Sequence, residues 1–260
     1  MTHVEVSYYT DPACPWSWAL EPTLRKLIIE FGESLDIDYV MCGMAREFGD
    51  AEHLVGDGLE AADSSGMPVD VRLWLNGAPR SSFPACIAVK AAAEQGSPDA
   101  YLRRLREGFQ CRRRKLDSTD ALVQAARESP GLDLGRFEIA LSSHGTLEAF
   151  GGDIERCKQG EDRLTLPSLR FGEELVVGFT SYEELREVAM RAGARPTDAP
   201  APSIEQAMRR FGTMATAEVA AVCELPGPRA PAELWRLASE WRVKPERLGT
   251  GELWSLAPGA

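Results

Sequence analysis

The tightest constraint on the fold lies in the first forty residues. VEVSYYT, at residues 4–10, alternates side chains with the period-two pattern of a strand. Leu20, Leu24, Leu27, Ile28 and Phe31 then recur at helical spacing within residues 15–31, and LDIDYVM at 35–41 returns to strand character. A strand, a helix and a strand in so short a run predict parallel strands joined by a right-handed crossover. Both strands then end on one rim, which is where open α/β sheets place their ligand crevices. Pro22 removes a backbone donor inside the helix and is expected to bend it.

From residue 43 to residue 160 the strand pattern is lost. PACIAVKAAAEQG, DAYLRRLREGF, STDALVQAARES and LGRFEIALSSH read as helices, with Gly96, Gly131 and Gly145 as punctuation and Ser118 or Thr119 as an N-cap. In the second of these Leu102, Leu105 and Phe109 share a face and the arginines line the opposite one. Residues 43–82 are the least regular part of this helical insertion and are expected to contain a mobile loop. Strand character returns at LPSLRF and ELVVGF, a hairpin about Gly172. SYEELREVAMRAG follows as a helix, with Ser181 and Glu184 at capping-box spacing.

Residues 194–203, ARPTDAPAPS, have linker composition. They divide a domain at 1–193, with its insertion at about 43–160, from a small module at 204–260. The module reads as helix, helix and short strand, resembling a winged helix. Leu234, Leu237, Ala238 and Trp241 make its core face, with Trp235 and Trp254 also expected inside. From Ile204 onward seven Lys or Arg balance seven Asp or Glu, so binding in a DNA groove lacks its electrostatic drive.

The 260-residue chain carries a net charge of −11, which argues against nucleic acid and anionic membrane surfaces as partners. The N-terminus has no basic region, apolar run or cleavage site of a secretory signal, and no stretch is long and apolar enough for a membrane span, so a cytoplasmic protein is expected. Six cysteines are scattered (Cys14, Cys42, Cys86, Cys111, Cys157, Cys223), and in a reducing compartment they read as free thiols. His3, His53 and His144 lie far apart and no Cys/His group has zinc-site spacing, so no metal is expected.

Chemistry concentrates at DPACPWSW. Cys14 directly precedes Pro15, a favoured first helical residue, so its sulfur should face unpaired amides that favour thiolate over thiol. The competing reading is a small buried hydrophobe at a helix cap. Trp16 and Trp18 flank the cysteine as a shield or an apolar wall. Asp11 marks a turn, and its carboxylate would raise the thiol's pKa. LTLPSLRF supplies a second feature: a cis Leu166–Pro167 bond would fix a tight turn and leave the Leu166 backbone free to pair with an extended peptide.

DPACPWSW, the helical insertion beginning at SSFPACIAVKAA, LTLPSLRF and VVGFTSYEELREV together resemble the DsbA-like branch of the thioredoxin superfamily. The likeness covers residues 4–193 and is nearest to cytosolic members, among them thiol oxidoreductases of polyketide-cluster type and adaptors that feed substrates to the ClpXP protease. The resemblance implies a thioredoxin fold with Cys14 as nucleophile and Pro167 as the cis-proline facing it. Ser17 departs from the dithiol pattern, because it stands where such members carry the resolving cysteine. Three routes remain open. Cys14 acts as a monothiol with glutathione or another low-molecular-weight thiol as co-substrate, without a bound cofactor; or Cys42, just after the second strand, resolves; or redox turnover is absent and the groove binds partners.

The leading expectation is a monothiol thiol-disulfide oxidoreductase acting on protein or small-thiol substrates. Cys14 attacks, Ser17 donates a hydrogen bond to the thiolate, and Trp16, Leu166 and Pro167 position the substrate. A non-catalytic protease adaptor and a glutathione-dependent transferase or isomerase of kappa type are the alternatives, the last disfavoured by a retained Cys14. The QCRRRKL run at 110–116 offers a receiver for a glutathione carboxylate and a means of lowering the Cys111 pKa; an exposed helix end is the preferred reading.

Overall fold

The computed structural model describes residues 3–49, 51–159 and 162–259, so the expected end of the insertion at residue 160 lies outside the described residues. Strands β1 (Val4–Thr10) and β2 (Leu35–Met41) pair in parallel, with Thr10 opposite Met41. Between them the single expected helix is two: α1 (Pro15–Ala19) and α2 (Glu21–Phe31), broken at Leu20. Pro22 sits at the start of α2, where its missing N–H costs nothing, so the chain breaks rather than bends.

The insertion comprises α3 (His53–Ser65), α4 (Arg72–Leu75), α5 (Phe83–Ala93), α6 (Pro98–Gln110), α7 (Thr119–Arg127), α8 (Leu134–Leu141) and α9 (His144–Arg156). The segment expected to be irregular and mobile therefore holds a thirteen-residue helix, α3. Gly56 and Gly58 hid it from propensity, yet Gly58 is where the helix meets Val71: an added Cβ would lie 3.1 Å from Val71 Cγ1. The short strands β3 (Lys158–Gln159) and β4 (Asp162–Arg163) close the insertion. Strands β5 (Ser168–Phe171) and β6 (Glu174–Val177) form the hairpin about Gly172 and complete a sheet of order β2-β1-β5-β6, with β5 antiparallel to both its neighbours. Helix α10 (Tyr182–Arg191) is capped by Ser181 Oγ, which accepts from Glu184 N at 3.2 Å. The Glu184 carboxylate accepts from the Thr180 hydroxyl.

Residues 194–203 carry no helix or strand, but Thr197 N donates to Glu30 O at 2.6 Å and pins the stretch to α2. Beyond it lie α11 (Ile204–Phe211), β7 (Met214–Ala215), α12 (Thr216–Val222), α13 (Arg229–Ser239), β8 (Val243–Leu248) and β9 (Gly251–Leu256). A three-stranded sheet of order β7-β9-β8 backs these helices, richer than the expected helix, helix and strand. Of the tryptophans placed in this core, Trp254 is buried whereas Trp235 and Trp241 are 54% and 87% exposed. Helix α13 ends at Ser239 and Trp241 takes a φ of +60°, which ends the helical periodicity that would have pointed it inward.

The C-terminal elements dock through charge as well as apolar contact. Arg103 and Arg106, assigned from sequence to the face of α6 opposite its apolar residues, are buried together with Glu107. They meet Glu21 and Arg25 of α2 and Glu218 of α12. The face is polar because another charged face covers it, which a pattern of one helix cannot reveal. The arginines after α6 are likewise paired, Arg112 with Glu246, Arg113 with Asp70 at 3.4 Å and Arg114 with Glu128 at 2.6 Å. Burial pushes the Cys111 thiol up, against the lowering weighed from that run.

Not all cysteines are free: Cys42, just after β2, and Cys157, at the end of α9, form a disulfide with a Cα–Cα distance of 5.5 Å. Their separation of 115 residues concealed the pairing. Cys14, Cys86, Cys111 and Cys223 are free. No helix among the described residues is long and apolar enough to cross a membrane, and no metal-ligating cluster occurs among them.

Candidate thiol site

The chain leaves β1 at Thr10 and turns at Asp11. The Asp11 carboxylate is buried and accepts from Ala13 N at 2.8 Å, Met44 N at 2.6 Å, Ser82 Oγ at 2.8 Å and Cys86 Sγ at 3.3 Å. One side chain thus ties the loop before α1 to the loop after β2 and to the start of α5. Cys86 of α5 thus contributes one of these donors.

Cys14 follows as the N-cap of α1, with its Sγ accepting from Ser17 N at 3.4 Å. Across the site the Leu166–Pro167 bond is cis, and Cys14 Sγ donates to Leu166 O at 3.9 Å. The sequence-predicted residues Cys14, Ser17, Leu166 and Pro167 therefore come together at the ends of β1 and β5. Trp16 is half-buried and packs against Phe179, with ring centroids 5.6 Å apart. Trp18, two residues on and so on the other side of the short helix, is fully buried: its indole N–H donates to Pro68 O at 2.9 Å and Arg103 lies 4.3 Å over its ring. It packs with Met67, Val69, Ala215 and Leu253, so the C-terminal elements reach this cluster.

Cys14 is only 3% exposed, and burial pushes its thiol above its ordinary range. Hydrogen bonds from Ser17 and Trp16 pull the other way, and the Asp11 charge adds to the rise. This overturns the expected low-pKa thiol: α1 has five residues, and its few aligned peptide dipoles do not offset desolvation. The Ser17 hydroxyl lies near enough to favour the thiolate, yet it is buried and makes no hydrogen bond of good geometry in the described structure. Alkylation of Cys14 by iodoacetamide is accordingly expected to rise with a midpoint above about pH 8.5, the ordinary thiol value. A rate profile of the folded chain, followed by peptide mapping, checks this; a midpoint below that of the unfolded chain contradicts it.

Cys14 opens into a cavity of about 250 Å³ whose walls include Trp16, Cys42, Arg163, Leu164 and Leu166. Sequence reasoning placed Cys42 on this rim from the parallel strands, and Cys42 N indeed donates to Thr10 O at 2.9 Å. Its disulfide to Cys157 removes, in this state, the free thiol that one of the three open routes placed at Cys42. Cys157 and Arg163 were missed. No local signal marks either, because the fold alone carries α9 and β4 back to the end of β2.

A family model described as thioredoxin matches residues 8–171. The chain is 27% identical to the ClpXP adapter protein SpxH of Halalkalibacterium halodurans, over 96% of this chain and 88% of the relative. It is also 27% identical to the ClpXP adapter protein SpxH of Bacillus subtilis, again over 96% and 88%. Among solved structures, the cytosolic disulfide reductase DsbM from Pseudomonas aeruginosa, determined with GSH, matches with a TM-score of 0.56 at 21% identity, covering 72% of this chain and 99% of that one. At that identity the likeness speaks to the fold.

Proposed function

The chain belongs to the thioredoxin family, and from that premise we propose that it is of the DsbA-like, ClpXP-adaptor branch, a cytoplasmic adaptor that binds a client protein and hands it to the ClpXP protease. The observation that carries this reading is the thiol itself: Cys14 is buried and held above its ordinary pKa beside the Leu166 carbonyl, which suits a peptide groove better than a fast thiolate catalyst. The groove has the rim such a role needs. Trp16 and Phe179 form an aromatic pair there, and Val177 stands 51% exposed on the edge strand β6, where an extended segment can add. Similarity to the adaptors over 96% of the chain takes in most of residues 204–260 as well, so the appended module belongs to the same reading. We place the boundary between the two parts at residues 194–203.

A candidate client is one whose level falls when the chain is expressed and recovers when ClpX is removed. With purified ClpXP and that client, the chain is expected to speed degradation severalfold, and a Trp16→Ala/Phe179→Ala variant to return the rate to basal. An unchanged rate on adding the wild-type chain rejects the adaptor reading. The second reading, a monothiol oxidoreductase using glutathione or another small thiol as co-substrate, is favoured by the retained Cys14 facing Leu166 and by Ser17 beside it. Catalytic turnover of a glutathione mixed disulfide without any effect on degradation selects it.

A further inference from the structure

We propose that Cys42 and Cys157 are a resolving pair for Cys14, so that three cysteines form a thiol-disulfide relay across one cavity. This goes beyond the adaptor reading, because it concerns chemistry inside the groove whether or not a protease follows.

The placement carries the argument. Cys14 and Cys42 line the same cavity of about 250 Å³, and Cys157 is not among its walls, so the disulfide presents Cys42 to Cys14 and keeps Cys157 behind it. Leu166 touches both centres: its carbonyl accepts from Cys14 Sγ at 3.9 Å, and its side chain packs on the buried cluster of Tyr9, Val40, Cys42, Cys157 and Leu164. Two hydrogen bonds hold the loops of Cys14 and Cys42 in fixed relation, one from Cys42 N to Thr10 O and one from Met44 N to the Asp11 carboxylate. Charge at the cavity is mixed. Arg163, whose guanidinium donates to Gly43 O at 2.6 Å, brings a positive charge beside Cys42, while Asp57 lies on the wall and Asp11 behind it. Ser17 cannot attack a disulfide, and in the reduced chain the cavity offers Cys42 in its place.

The steps balance without an outside oxidant. Beginning with all three cysteines reduced, the Cys14 thiolate attacks a client or small-molecule disulfide, forms a mixed disulfide and expels the first leaving thiolate. The Cys42 thiolate then attacks Cys14 Sγ, forming Cys14–Cys42 and expelling the second thiolate. Cys157, as its thiolate, attacks Cys42 Sγ, forming Cys42–Cys157 and regenerating the Cys14 thiolate. The client disulfide gains two electrons and the Cys42/Cys157 dithiol loses them. The arrangement observed, Cys14 free and Cys42 bonded to Cys157, is the final state of this sequence. A low-molecular-weight dithiol returns the pair to the reduced state.

The test uses the full chain, reduced and desalted, mixed with a limiting amount of 5,5′-dithiobis(2-nitrobenzoate). In wild type, both thionitrobenzoate halves should be released, and peptide mapping should find an adduct at Cys14 that decays as Cys42–Cys157 appears. Cys42→Ser should stop with the adduct on Cys14 and one half released. Cys157→Ser should accumulate a Cys14–Cys42 disulfide. A wild-type adduct at Cys14 that persists as in Cys42→Ser overturns the relay and leaves the monothiol reading standing. So does Cys42–Cys157 formation at the wild-type rate in Cys14→Ser. The wild-type time course decides the matter even where a variant fails to fold, and the degradation assay tests the adaptor reading independently.

Discussion

Replacing Glu218 with Ala is expected to cost the folded chain about 3–5 kcal/mol, the penalty for stranding buried charge. Glu218 is fully buried on α12. Its carboxylate accepts from both Arg103 terminal nitrogens at 2.8 and 2.9 Å, from Ala215 N at 2.6 Å and lies 3.1 Å from Arg25 Nε. Without it Arg103 and Arg25 keep their positive charges in a buried interface with one acceptor fewer. Urea unfolding followed by circular dichroism measures the change. A midpoint within experimental error of wild type contradicts the account.

The same cluster predicts acid sensitivity with a defined sign. Burial alone would raise the Glu21 carboxyl, but Arg106, Arg103 and Arg25 hold it down at about 2. A carboxylate whose folded pKa lies below its unfolded value contributes stability that is fully present above the unfolded pKa and is lost as pH falls through the folded one. About 3 kcal/mol should therefore disappear between roughly pH 5 and pH 2. Glu21→Gln should flatten that part of the stability profile, at the price of lower stability at pH 7.

Gly249→Ala is the second large effect. Gly249 sits between β8 and β9 at φ +54°, and a Cβ there would lie 1.9 Å from Val69 O and 2.6 Å from Val69 C, both backbone atoms that cannot swing aside. Thr250 beside it exchanges two hydrogen bonds with Val69, N to O and N to Oγ1, each 3.0 Å. The substitution must push the hairpin off the 67–70 segment, breaking this clasp and opening the cluster of Trp18, Met67, Val69 and Leu253. A loss of about 3 kcal/mol or more is expected, against about 1–2 kcal/mol for Gly212→Ala. Gly212 has a similar φ of +71° but nothing within 4 Å of its Cβ position. Equal effects at the two positions would show that backbone strain, and not the close approach, sets the cost.

How much of the site was legible follows from how its signals are encoded. Cys14, Ser17 and Leu166–Pro167 were readable as candidates because each sits at an end of a strand or helix that its own neighbours specify, and the family resemblance implied that they meet. The state of the thiol was not readable. A five-residue helix and a cysteine 3% exposed are outcomes of packing, and packing reversed the pKa direction that helix position alone suggested. Trp16 and Trp18 look alike in sequence, yet one lines the groove and the other anchors the C-terminal elements.

By itself the sequence determined the βαβ start, the hairpin about Gly172 and the helical character of the insertion, because periodicity and turn residues act over a few positions; that Pro167 faces Cys14 was implied only by the family resemblance. Only the tertiary structure decided that α6 turns its arginines inward onto Glu21 and Glu218, that residues 53–65 are helical, and that Cys42 bonds Cys157 across 115 residues. These depend on surfaces supplied by distant parts of the chain, and a local pattern holds no record of what will cover it.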